Sequence, residues 1–127
     1  MEAVIYLDTN VVLWLVGAPE QLSTGAKEAI NRHDLLLYSP LVELEIEYLY
    51  ETGRVQRPAV EVLEHLRSAL NLKACERTFA TVIAKARELK WTRDPFDRII
   101  AAQAAVGSDQ LLTRDKIIRA NYSYAVW

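Results

Sequence analysis

Four acidic residues of this chain fall where carboxylates can do chemistry. They are Asp8 in Leu7-Asp8-Thr9-Asn10, Glu45 inside a predicted helix, Asp97 in Asp94-Pro95-Phe96-Asp97-Arg98 and Asp115 in Leu112-Thr113-Arg114-Asp115. Asp8 and Asp115 each follow a short apolar run rich in β-formers, which puts them at strand ends. Either one alone reads equally well as a cap for the next helix, but two acids leaving parallel strands at one edge point to a site. Glu45 is more telling. With the segment Leu41 to Thr52 laid out at about 100° per residue, Glu43, Glu47 and Glu51 form a solvated stripe that Arg54 extends. Glu45 instead falls in the arc of Leu41, Leu44, Tyr48 and Leu49, where an unpaired carboxylate is costly to desolvate. A cation, a proton or a distant arginine has to answer for it. Asp94, directly before a proline, is placed to cap a helix, whereas Asp97 lies in the first turn on the line of Ile100, Ala101 and Ala104 and so begins a buried face.

Carboxylates gathered without a matching buried lysine repel one another unless a hard cation sits among them. Mg²⁺ and Mn²⁺ take oxygen ligands at roughly 2.1 Å and keep waters, so an all-carboxylate set suits them better than zinc, which prefers His or Cys. His33 and His65, the only histidines, lack ligand spacing and are expected at the surface. The single cysteine, Cys75, has no disulfide partner in the chain and is expected to be a small half-buried residue. Net charge is −2, without the broad basic footprint of a protein that holds nucleic acid by neutralising phosphates alone. Bound divalent cations would reverse the local sign, and Arg93, Arg98, Arg114 and Lys116 flank the acids.

The elements that must position these residues follow from periodicity and punctuation. A strand is expected at Ala3 to Leu7, a short helix from Asn10 to Val16, a helix capped by Ser23 to about Arg32, and a strand at Leu35 to Tyr38. Ser39-Pro40 opens a long helix that stops near Gly53, and Pro58 suits the first turn of a helix to about Leu70. A short extended piece at Leu72 to Ala74 precedes helices from Thr78 to Leu89 and from Asp94-Pro95 to Gly107. Gln110 to Thr113 is a strand, Asp115 caps a short helix, and Ala125 to Trp127 is a last strand. Strands alternating with helices predict an α/β fold: one domain over residues 1–127, with a mainly parallel sheet flanked by helices on both faces and its site outside the carboxyl ends of the strands.

A chain of 127 residues with 51% hydrophobic content can build one core. The longest strictly apolar run, Val11 to Val16, is far short of the roughly 18 residues of a membrane span. With Glu2 in place of a basic leader, the expectation is a soluble, unexported, cytoplasmic protein.

As an ordered set, Leu7-Asp8-Thr9-Asn10, Ser39-Pro40 with Glu45 and the Gly53-Arg54 turn, Asp94-Pro95-Phe96-Asp97-Arg98 with Ala101-Ala102-Gln103-Ala104, and Leu112-Thr113-Arg114-Asp115 resemble a PIN domain. More narrowly they resemble the VapC-type toxins of bacterial toxin–antitoxin pairs. By that resemblance Asp8, Glu45, Asp97 and Asp115 match the family's acidic, metal-binding positions, and Asn10 and Thr113 match the polar residues that hold them. The resemblance implies a Mg²⁺- or Mn²⁺-dependent endoribonuclease acting on RNA, paired as a homodimer and held inactive by a small antitoxin. Two alternatives predict different features. An aspartate-based phosphatase would carry a second Asp two residues after Asp8, where this chain has Asn10. In a catalytically silent PIN-like binding module the acids would only cap helices, and Glu45 caps none.

Overall fold

A computed structural model describes residues 3–127; Glu2, on which the expectation about a leader rested, lies outside the described residues. Five short strands, β1 (Val4–Leu7), β2 (Leu35–Tyr38), β3 (Lys73–Ala74), β4 (Gln110–Leu112) and β5 (Ala125–Val126), form one sheet in the order β3-β2-β1-β4-β5, with every neighbouring pair parallel. Ile5 and Leu7 of β1 and Leu111 and Leu112 of β4 are completely buried, as central strands of a covered parallel sheet must be. From β1 the chain moves outward to β2 and β3, then crosses back to β4 beside β1 and on to β5. With right-handed crossovers that reversal puts helices on both faces and opens a crevice at the carboxyl ends of β1 and β4.

Among the described residues seven α-helices connect the strands: α1 (Thr9–Gly17), α2 (Thr24–Arg32), α3 (Pro40–Glu51), α4 (Ala59–Leu70), α5 (Phe79–Ala86), α6 (Pro95–Ala105) and α7 (Lys116–Asn121). Their starts carry the expected chemistry. The Ser23 hydroxyl accepts from the Ala26 amide and Ser39 from Leu41, each satisfying a backbone N–H that the helix itself leaves unpaired. Gly53, after α3, sits at φ 77°, a left-handed turn that glycine adopts without a side-chain clash.

The structure corrects several details. Pro58 stands just outside α4 rather than in its first turn, and Glu47 Oε1 accepts from the Ala59 amide at 3.0 Å, so Glu47 tethers α4 to α3 and is not merely solvated. Helix α5 stops at Ala86, short of Leu89. Arg98 Nε donates to the Ala86 carbonyl at 2.7 Å and its Nη2 to that of Arg87 at 3.2 Å, so a side chain from α6 satisfies carbonyls at the end of α5. His33 is half-buried, its Nδ1 2.5 Å from the Ala29 carbonyl, whereas His65 is exposed as expected. Cys75 is fully buried and accepts a hydrogen bond from the Tyr6 hydroxyl at 3.2 Å.

Among the described residues no helix is long and apolar enough to cross a membrane.

Candidate active site

The crevice at the carboxyl ends of β1 and β4 is a cleft of about 360 Å³, and all four acids line it: Asp8, Glu45, Asp97 and Asp115. Each arrives by a different route. Asp8 directly follows β1 and caps α1, with Oδ1 accepting from the Thr9 amide at 2.8 Å. Its Oδ2 accepts from the Thr113 hydroxyl at 2.6 Å, a bond that joins the ends of the two central strands. Thr113 in turn accepts from the Asp115 amide at 3.1 Å, and Asp115 Oδ1 caps α7 by accepting from Ile118 N at 2.8 Å. Thr113 thus holds one acid directly and the loop of another.

Glu45 is half-buried, but its surroundings differ from the expected ones. The buried side of α3 is Val42 and Ile46, while Leu44 and Tyr48 of the supposed buried arc are 58% and 47% exposed. An apolar arc on a helix wheel marks only a hydrophobic face, and this one is split: Leu44 and Tyr48 face outward, whereas Leu41 and Leu49 are half-buried. Glu45 sits on the flank between the two faces, where Thr9 Oγ1 donates to its Oε1 at 2.5 Å. Thr9 was not singled out by sequence reasoning; directly after Asp8 it reads as the first residue of α1, and only its buried side chain and its reach across 36 positions show that it ties α1 to α3. Asn10 lines the cleft but is exposed and makes no hydrogen bond to an acid among the described residues.

Asp97 begins the inner face of α6, half-buried, ahead of the buried run Ile100 to Ala105. Asp94 is the cap, its Oδ1 accepting from Phe96 N at 2.9 Å and Asp97 N at 3.2 Å. Asp94→Ala should therefore cost about 1 kcal/mol of stability in a denaturant melt, and Asp94→Asn almost none, because Asn caps nearly as well. Farther along α6, Gln103 Oε1 accepts from the buried Ser39 hydroxyl at 2.8 Å, tying the start of α3 to the helix that carries Asp97.

The electrostatics reflect this crowding. Burial raises Asp8 above the ordinary carboxylate range, opposed by the Thr113 and Thr9 hydrogen bonds. Burial likewise raises Glu45, with Asp8 and Asp94 adding repulsion. Asp97 is pushed up to about 7 by burial and then by the charges of Asp8, Asp94, Asp115 and Glu45. Arg98, expected beside the acids, is instead spent on the carbonyls of Ala86 and Arg87, and Arg114 is the one cation lining the cleft among the described residues. Acids that raise one another in this way form a donor set suited to a hard divalent cation. Among the described residues no three His, Cys, Asp or Glu side chains are grouped so as to hold a metal ion as they stand.

The family model described as the PIN domain matches residues 5–123, nearly the whole chain. The chain belongs to the PIN-domain family. This PIN domain is 30% identical over 119 residues to Ribonuclease VapC22 of Mycobacterium tuberculosis, a match spanning 92% of this chain and 91% of that protein. Two solved structures share its fold. One is VapBC2 from Rickettsia felis bound to a DNA fragment from its promoter, with TM-score 0.64, 14% identity and coverage of 98% of this chain and 97% of the other. The other is a toxin–antitoxin complex from Klebsiella pneumoniae, with TM-score 0.66, 19% identity and coverage of 97% and 96%.

Proposed function

We propose that this PIN domain, taken as one unit over residues 1–127, is a Mg²⁺- or Mn²⁺-dependent endoribonuclease of the cytoplasm and the toxin of a toxin–antitoxin pair. The observation that carries the reading is the cleft itself: Asp8 and Asp115, just past β1 and β4, line it with Glu45 of α3 and Asp97 of α6 at the switch point of the sheet, and among the described residues no lysine lines it. The 30% identity to a protein named as a ribonuclease supports it.

Asp8, Glu45, Asp97 and Asp115 are the residues that would hold the cation. When bound, it supplies Lewis acidity, activating a water for in-line attack and offsetting negative charge at the phosphorus. The chain's part is to fix the carboxylates. Thr9 and Thr113 each donate to one acid, and Ser39 with Gln103 sets α3 against α6. Asp115 keeps one oxygen for its cap and leaves the other for the cleft. No side-chain nucleophile is needed, and the exposed Asn10 lies where it can meet the phosphate backbone.

Leu44 and Tyr48, exposed together on one side of α3, and Tyr50, exposed on another, support protein partners: a small antitoxin and a second copy of this chain.

The test is to map new RNA 5′ and 3′ ends after incubation with purified protein. Cleavage is expected with Mg²⁺ or Mn²⁺, lost in EDTA and restored by excess cation. Cleavage indifferent to EDTA would refute the metal-assisted chemistry. A folded protein that cuts no RNA with either cation would favour a silent binding module.

A further inference from the structure

Arg114 stands at the lip of a cleft walled by four acids and yet, among the described residues, forms no ion pair with any of them. Its Nη1 donates instead to a neutral group, Gln21 Oε1, at 3.2 Å. Its guanidinium carbon lies 5.7 Å from the ring centre of Trp14, which lines the same cleft. Trp14 is itself braced by Trp127, whose ring meets it edge-on at 5.9 Å and 60°. Two planar groups are thus fixed next to the carboxylates by contacts that leave the arginine's charge uncommitted.

An indole on the wall of an acidic cleft contributes nothing to holding a divalent cation, and the part of the half-buried Trp14 ring that the core leaves uncovered is apolar surface that a flat ligand can bury. A lone phosphate contact would need only a point charge, such as the neighbouring exposed Lys116 offers. A guanidinium held over an indole suits a different ligand, a flat nucleobase whose phosphate is within reach of the same arginine. On the nuclease reading above, we infer that Trp14 and Arg114 form a stacking subsite for the base of the nucleotide beside the scissile phosphate. Only an unstacked base can enter, so the substrate is RNA single-stranded at that nucleotide. Duplex RNA keeps its bases paired and offers only its backbone.

Binding tests this apart from cleavage. In the full-length Asp8→Asn protein, the affinity of a short fluorescein-labelled oligoadenylate is measured by fluorescence anisotropy in Mg²⁺ buffer, free and annealed to oligouridylate. The single strand should bind at least about tenfold more tightly than the duplex. Adding Arg114→Lys, which keeps the charge but not the plane, or Trp14→Leu should each weaken single-strand binding about tenfold, as losing one base stack does, and leave the duplex nearly unchanged. An abasic strand should bind as weakly to the Asp8→Asn protein as oligoadenylate does to the added variants, which should lose nothing further on it. Arg114→Lys alters an exposed side chain, so it reports even if Trp14→Leu lowers the melting temperature. No preference for the single strand, or equal weakening of single strand and duplex, would overturn the subsite. A failure of the nuclease reading would appear separately, as wild-type protein that cuts no RNA.

Discussion

Asp8→Asn is expected to lower RNA cleavage by about 10²-fold or more while leaving the stability of the fold little changed or raised. The hydrogen bonds of Asp8 explain why the two effects separate. Its two oxygens accept from the Thr9 amide and the Thr113 hydroxyl. An asparagine oxygen can keep the first bond, and its amide can donate to Thr113 Oγ1 once that hydroxyl rotates, so the cap of α1 and the link between β1 and β4 survive. What disappears is a buried negative charge that burial already disfavours and that Asp115 repels. Losing that charge offsets any weakening of the hydrogen bonds, so the stability change should lie within about 1 kcal/mol or be positive. On the proposed metal-assisted chemistry, the cleft meanwhile loses the charge of its most buried acid. The pair of measurements is a melting curve and divalent-dependent cleavage on the same sample. Normal cleavage by Asp8→Asn would remove Asp8 from the site, and an unfolded variant would make its role structural.

The order and type of the elements were legible because their punctuation is local. Ser23, Ser39, Thr78, Asp94 and Asp115 all cap the helices expected of them, and the apolar runs before Asp8 and Thr113 are the two central strands. Asp8, Asp97 and Asp115 could be picked out for the same reason, since each sits at or within a turn of a helix start that the sequence marks, whereas Glu45 lies in the middle of α3. What was not legible depends on partners distant in the chain. The early end of α5 is made by Arg98, eleven and twelve positions beyond the carbonyls it takes, and the tether of α4 by Glu47. Thr9 and Gln103 look like ordinary helical residues until the fold brings Glu45 and Ser39 to them. Glu45 was found by a premise that the structure corrects. Only part of the arc around it is buried, since Leu44 and Tyr48 are exposed, and the carboxylate lies on the flank of α3 that lines the cleft.

In EDTA the protein should become less stable as pH rises from about 5 to about 8, opposite to the usual gain as carboxylates ionise, and divalent cation should reverse the trend. Asp97 has an ordinary value of 3.8 in the unfolded chain and about 7 in the fold. Between those values the folded protein keeps a proton that the unfolded chain has released, so raising the pH favours unfolding, and the loss is complete only above about 7. Burial raises Asp8 and Glu45 as well, so they act in the same direction. The ionised cleft is what a divalent cation binds, whereas at about pH 5 protons compete for the same oxygens. A cation present at about 100 times its dissociation constant adds about 2.7 kcal/mol if it binds only the folded state. The shift in melting temperature on adding Mn²⁺ should therefore be large at about pH 8 and small at about pH 5. Asp97→Asn removes the carboxyl held up to about 7 and should lessen the pH dependence in EDTA. A melting temperature that climbs between pH 5 and 8 without divalent cation would mean that the acids are answered by charges other than one another.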